Sequence, residues 1–310
     1  MAISTRLIRR RIKSVTSTRK ITKAMELVAA SKMRRAVSSV LASRPYAEAV
    51  WTAIREMAKV TDAGLHPLLS TKPDAERVLV VLFTSERGLC GGFNSQLLRQ
   101  VNHFTGKLPE GLPVDFVTVG RKGQVAIQRQ GLSLVAVFNE LASHPTVDEM
   151  RPIADLAVGD FVAGKYRAVY LAFTDYVSAL VQKPRVSQLL PVSRIEGLGE
   201  VGEALTQGRA AEKDGLDVTD SGHEYLFEPS PSEVLDVMLP RLIESQVYQA
   251  LLESSASEHS ARMLAMRTAS DSAEEMIDSL TLSYNQTRQA GITAEIAEIS
   301  SGKAALEKSR

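Results

Sequence analysis

Between Arg241 and Gly302 the sequence has no proline and a single internal glycine, Gly291. Apolar and small residues recur there at helical steps: Leu242, Val247 and Leu251, then Ala269, Ala273, Met276, Leu280 and Tyr284. That pattern predicts one continuous helix. At about 1.5 Å per residue it would be on the order of 90 Å long, several times an ordinary globular helix. No compact domain of this size can bury such an object. A periodic run far beyond about 25 residues belongs to a coiled coil, a membrane span or a helical repeat. Glu253, Glu258, Asp271, Glu274, Glu275 and Asp278 exclude the membrane, and there is no internal repeat. The helix therefore needs a partner helix.

The other end of the chain supplies one. Residues 3 to 58 place Ile8, Ile12 and Val15, then Ile21, Met25 and Val28, then Met33, Ala36 and Val40 at helical spacing, with slips after Val15 and Val28. Both helices adjoin the same middle segment, one entering and one leaving, so they can pair only antiparallel. Their shared stripe is rich in Ala, Ser, Thr and Met, which permits close backbone approach but buries less apolar area than Leu or Ile. Pro45 predicts a kink or restart in the first helix, and Gly64–Pro73 a turn-rich connector. Ser230-Pro231-Ser232-Glu233 marks the start of the last helix, with a capping Ser, Pro at the first helical position and Glu three residues after the cap. Pro240 is expected to bend or interrupt it soon afterwards.

A net charge of +1 conceals a strong asymmetry. Residues 1–44 hold twelve Lys or Arg against one acid, Glu26, giving +11 and leaving −10 for the rest. Such a run is most simply a solvated cationic face, and more specifically a surface for an acidic protein partner or for nucleic acid. Nucleic acid is disfavoured because these residues include no aromatic side chain for base stacking and no recognition motif. The Arg- and Ser-rich start resembles a transit peptide in composition, but the helical pattern runs past any cleavage site. There is no secretory apolar segment and no spanning segment. One cysteine, Cys90, excludes an internal disulfide and suits a reducing compartment.

The middle of the chain alternates strand and helix. Arg77–Thr84, Pro113–Gly120, Leu132–Phe138 and Tyr166–Thr174 read as strands, with helices over Gln96–Phe104, Arg121–Gln130 and Val147–Lys165. This predicts a mostly parallel sheet with covering helices, to which Val177–Val192 adds an edge hairpin or strand. Glu196–Gly222, with six glycines and no periodicity, reads as an insertion or hinge. The expected fold class is thus α/β, a Rossmann-like domain joined to a long antiparallel coiled coil. Its expected divisions are residues 1–60, 75–195, 196–229 and 230–310.

The glycine-rich turn Ser85-Glu86-Arg87-Gly88-Leu89-Cys90-Gly91-Gly92-Phe93-Asn94 sits where α/β folds often cradle phosphate. It matches neither G-x-G-x-x-G nor G-x-x-x-x-G-K-[ST], so tight turning and close packing are its favoured roles. The five histidines are scattered singly, which signals neither a Cys–His pair nor a metal cluster, and no carboxylate pair stands out.

Several blocks resemble the gamma subunits of F-type ATP synthases. They are Ile21–Lys32 (ITKAMELVAASK), Arg87–Asn94 (RGLCGGFN), Glu244–Tyr248 (ESQVY), Glu258–Met263 (EHSARM) and Tyr284–Ile296 (YNQTRQAGITAEI). Glu86, Ser260 and Lys303 depart from the usual pattern, and the insertion lacks the cysteine pair of redox-regulated chloroplast forms. The resemblance implies the rotating central stalk, with a coiled coil inside a ring of alternating alpha and beta subunits. It implies no catalytic residue, metal or cofactor in this chain. Partners would be the alpha and beta subunits of the catalytic ring, the epsilon subunit and the membrane rotor ring of c subunits, with no nucleic acid. By position, Lys20, Lys23, Met25, Arg262, Arg288, Gln289, Thr293 and Glu295 resemble residues that couple rotation to catalysis. Arg44, Pro45, Tyr46 and Tyr225 resemble the foot facing the membrane ring and epsilon. Without a leader, the expected location is peripheral, on the cytoplasmic face of a bacterial inner membrane. Two other classes make different predictions: an α/β enzyme active alone and dependent on the surroundings of Gly91, or a nucleic-acid binder dependent on Arg9–Arg11 and salt.

Overall fold

The computed structural model describes residues 5–60, 66–109, 111–140, 145–192 and 230–308, with the side chains of 44, 47, 48, 51–60, 231, 232 and 302–308 left aside. The predicted insertion, together with Tyr225, lies outside these residues. The chain forms two compact units, Met1–Ala29 with Arg262–Arg310, and Ala30–Ala261. Helix α1 spans Thr5–Val60 and the last helix, α5, spans Pro231–Lys308. The predicted cap of α5 is present, since the Ser230 hydroxyl accepts from Glu233 N and donates to its carboxylate. Neither Pro45 nor Pro240 ends its helix. Each removes one backbone bond, but buried neighbours on both sides, Val40 and Val50 in α1 and Leu239 and Leu242 in α5, keep the helix packed.

In the first unit the two helices run antiparallel. Arg19 pairs with Glu274 at 2.9 Å and Thr22 meets Ser270 at 2.7 Å, so three residues forward on α1 correspond to four back on α5. The stripe differs from the sequence expectation. Ile21 and Val28 are exposed, at 58% and 57%, while Ile8, Thr22 and Ala29 are buried and Val15 half-buried. The α1 stripe therefore keeps one seven-residue spacing with no slip, the spacing of a left-handed coiled coil. Opposite it lie Met266, Ser270 and Ala273, whereas Met276 is exposed. The polar pair at its centre is satisfied within the seam. Thr22 Oγ1 donates to Arg19 O, which leaves Ser270 Oγ as donor to Thr22.

The second unit is built on a five-stranded sheet in the order β3-β2-β1-β4-β5. Its strands are β1 Val78–Phe83, β2 Val114–Val119, β3 Ser133–Phe138, β4 Ala168–Tyr176 and β5 Gln182–Leu190. Strands β1 to β4 are parallel and β5 pairs antiparallel with β4, as an edge strand. Every residue of β1 is buried because it has a neighbour on each side and is covered on both faces. On one face α2 (Phe93–Thr105) and α3 (Arg121–Arg129) supply Leu97, Val101 and Ile127 over Val80, Leu82 and Phe116. On the other, α4 (Val147–Val162) and the first part of α5 supply Ile153, Phe161, Leu239, Ile243 and Val247 over Leu79, Val81, Phe83 and Leu171. Helix α4 opens with a capping box between Thr146 and Glu149.

An ionic tie joins the starts of the three central strands. Arg77, just before β1, holds Asp115 of β2 in a two-point contact at 2.9 and 2.6 Å, and the Tyr166 hydroxyl donates to the same carboxylate at 3.1 Å. Burial alone would raise the Asp115 carboxyl; hydrogen bonds from Arg77, Ser133 and Tyr166, with the charge of Arg77, outweigh it and hold the group below its ordinary range. In the same unit α1 and α5 meet antiparallel through Ala36 and Val40 against Leu252 and Ala256. Ser43 donates to Gln249 at 2.6 Å, and Gln249 donates to the buried Glu253 at 2.9 Å.

Candidate coupling surface

All eight residues assigned to coupling fall in the first unit. Lys20 and Lys23 project from the exposed side of α1, and the Lys23 ammonium donates to Glu26 one turn on, at 2.9 Å. Met25 and Arg262 are half-buried. Arg288, Gln289, Thr293 and Glu295 lie on a stretch of α5 in which every residue from Arg288 to Ser300 is exposed. The antiparallel register explains this: it carries that stretch past Thr5, where the described part of α1 begins. Three isoleucines stand on it in the open, Ile292, Ile296 and Ile299, the last at 74% exposure. Apolar side chains at four- and three-residue steps on an otherwise polar helix end form a stripe suited to a protein surface.

Charge is separated across the pair. Exposed side chains Arg9, Arg10, Arg11, Lys13 and Lys20 make α1 cationic, while Asp271, Glu274, Glu275 and Asp278 make the facing part of α5 acidic. Of the foot residues, Pro45 and Tyr46 are exposed on α1 in the second unit; the side chain of Arg44 and the whole of Tyr225 lie outside the described residues. No helix among the described residues is long and apolar enough to cross a membrane.

The glycine-rich turn after β1 folds upon itself. Ser85 N donates to the Asn94 side-chain oxygen at 3.1 Å, and the Asn94 amide donates to Ser85 Oγ at 2.7 Å and Cys90 Sγ at 3.3 Å. Positive φ at Leu89 and Gly91 makes the tight turn, and Cys90 is buried inside it. Asn94 thus accepts from the Ser85 amide and donates to the Ser85 hydroxyl and the Cys90 sulfur, tying the two ends of the turn together in a packing role. Sequence reasoning missed three sets of polar contacts: Thr22–Ser270, Ser43–Gln249–Glu253, and the seryl contacts of Ser257 and Ser260. Only the first left a signal, the seven-residue recurrence of Ile8, Val15, Thr22 and Ala29.

Comparison with known proteins bears on the family and the fold. A family model described as ATP synthase matches residues 4–306. The ATP synthase gamma chain of Herpetosiphon aurantiacus is 44% identical over 313 residues, covering 98% of this chain and 99% of that protein. The fold is similar to the rotor of the Euglena gracilis mitochondrial ATP synthase, with a TM-score of 0.60 at 18% identity, over 93% of this chain and 98% of that one. It is also similar to a chain of the Tetrahymena thermophila mitochondrial ATP synthase central stalk and c-ring, with a TM-score of 0.58 at 26% identity, over 81% and 99%. With a family model spanning nearly its whole length and a near-full-length relative at this identity, the chain belongs to the ATP synthase gamma chain family.

Proposed function

We propose that this chain is the rotor shaft of its ATP synthase, coupling ion flow through a membrane ring of c subunits to ATP synthesis or hydrolysis in an alpha/beta ring. It has no catalytic site of its own. The observation that carries the reading is the near-full-length match to a gamma chain. The geometry supports it: a shaft must present different surfaces to successive partners, and this helix pair is cationic on one member and acidic on the other. Rotation can change nucleotide affinity only if contact energies differ between states of the catalytic sites. Lys20, Lys23, Met25 and Arg262 are the proposed contacts along the pair, and Arg288, Gln289, Thr293 and Glu295 those on the exposed end of α5. Arg44, Pro45, Tyr46 and Tyr225 are the proposed foot, meeting epsilon and the c ring. The complex would sit on the cytoplasmic face of a bacterial inner membrane, with this chain as a peripheral subunit.

The test is reconstitution with alpha and beta subunits, the ring fixed to a surface and a bead attached to this chain. Cys90 is buried and unsuitable for attachment, so the bead goes on Lys107→Cys, an exposed position after α2. ATP-dependent stepwise rotation is the expected result, with no ATPase activity in the isolated chain. A complex that hydrolyses ATP without turning makes this chain a static organiser and overturns the reading.

A further inference from the structure

Where α5 leaves the sheet of the second unit, directional contacts to the sheet are added to its apolar packing. From Leu235 to Leu251 it packs apolar side chains on the sheet, and such contacts are non-directional; its polar contacts there, Asp236 with His66, Glu244 with Arg151 and Tyr248 with Pro145 O, reach segments outside the sheet. Six residues further on, side-chain hydrogen bonds to the sheet begin. Ser257 Oγ donates to Thr174 O of β4 at 3.0 Å, and Ser260 Oγ donates to Ala179 O, in the β4–β5 turn, at 2.6 Å. From the other side the Gln182 amide, at the start of β5, donates to Ser260 Oγ at 3.3 Å and also to the carbonyls of Ser178 and Ala179. Both serines are fully buried, and with Ala256 they make a small-residue face that lets the turn reach the helix backbone. The turn is itself braced, since Ser178 Oγ accepts from the amides of Leu180 and Val181 and Ser178 N donates to Val181 O.

We propose that Ser257, Ser260 and Gln182 form a torsional latch, the place where rotation of α5 about its own axis is resisted by the sheet. This rests on the rotor reading. Apolar packing tolerates small sliding and rotation of a helix, whereas directional bonds on one narrow face are lost within a fraction of a turn. In a shaft, torque between α5 and the sheet would therefore pass through these three side chains, which act as positioning residues for coupling.

Two measurements test this. In the free chain, Ser257→Ala with Ser260→Ala is expected to speed hydrogen exchange at the Leu180 and Val181 amides by about three- to tenfold, the equivalent of losing one ordinary hydrogen bond that holds the turn. In the reconstituted complex, with the bead on Lys107→Cys so that torque must cross from α5 into the sheet, the same variant should show larger angular fluctuation in each dwell at unchanged ATPase rate. Gln182→Ala, at a half-exposed position, gives a milder version should the double variant fold poorly. Ser178→Ala is the control: it frees the turn internally without touching the helix pins, so exchange should rise and stiffness hold. Fluctuation equal to the parent's in the latch variants, or an equal loss of stiffness in Ser178→Ala, overturns the latch. A parent complex that hydrolyses ATP without turning overturns the rotor reading and the torque role with it, while the exchange experiment still reports whether the pins hold.

Discussion

Asp115 is 3% exposed yet carries a charge, and its three donors set what its loss would do. Because its folded pKa lies below the unfolded one, its contribution to stability is fully present above the unfolded carboxylate range. That contribution is lost as pH falls through the folded value. Asp115→Asn keeps the shape and one acceptor but not the charge, and should destabilise the second unit by about 1–2 kcal/mol at neutral pH, the partial exposure of Arg77 moderating the effect. Urea midpoints of parent and variant should converge below about pH 4; a constant gap would disprove the linkage. Glycines give a second residue-scale contrast. At Gly120, φ is +93° and a Cβ would lie 2.2 Å from Thr84 O, so Gly120→Ala must displace backbone at the ends of β1 and β2. At Gly131, φ is +67° with nothing within 4 Å. Gly131→Ala should lose only the left-handed penalty of about 1–2 kcal/mol, and Gly120→Ala clearly more, as read by thermal unfolding; equal losses would refute the steric account.

At the scale of elements, β1 was legible because it is a fully buried apolar run and β3, at the sheet edge, because apolar residues crowd a short segment between turns, and the parallel order agrees with the strand–helix alternation that predicted it. The seam was legible only in part. A search for apolar residues selects Ile21 and Val28, which are exposed, and passes over Thr22 and Ala29, whose value lies in being small and, for Thr22, in meeting Ser270. Hydroxyl-to-carbonyl pins such as Ser260 to Ala179 leave no periodic trace at all. The residues proposed for coupling were reachable only through resemblance, because an exposed Lys or Gln on a helix looks like any solvated residue until a partner is present. The seam pair can be tested directly. Thr22→Val should cost about 1 kcal/mol because it leaves the buried Ser270 hydroxyl without its acceptor. Adding Ser270→Ala should recover most of that loss, the signature of an interaction that specifies register more than it stabilises. Additive losses in helix unfolding followed by circular dichroism would show that the two hydroxyls act independently.

For the whole molecule, the decisive property is the charge separation between α1 and α5. The +11 of residues 1–44 is offset by −10 elsewhere, so the chain as a whole has almost no charge to attract a partner while its first helix has a strong local field. If that field meets acidic surfaces of the catalytic ring, Lys20→Gln should lower ATP-driven proton pumping per ATP in reconstituted vesicles while assembly and hydrolysis continue. Lys23→Gln is the less clean variant, since it also releases Glu26 from its 2.9 Å pair and so changes the face by more than one charge. Lys20 and Lys23 are exposed on the helix surface, so salt should screen their contribution, the Debye length being about 10 Å at 0.1 M and about 3 Å at 1 M. The pumping defect of Lys20→Gln should accordingly be largest at low ionic strength and shrink as the parent's own coupling weakens in salt. Pumping per ATP that matches the parent at low salt would mean that the cationic face of α1 is solvated, and that coupling runs through packing along the seam and the exposed end of α5 instead.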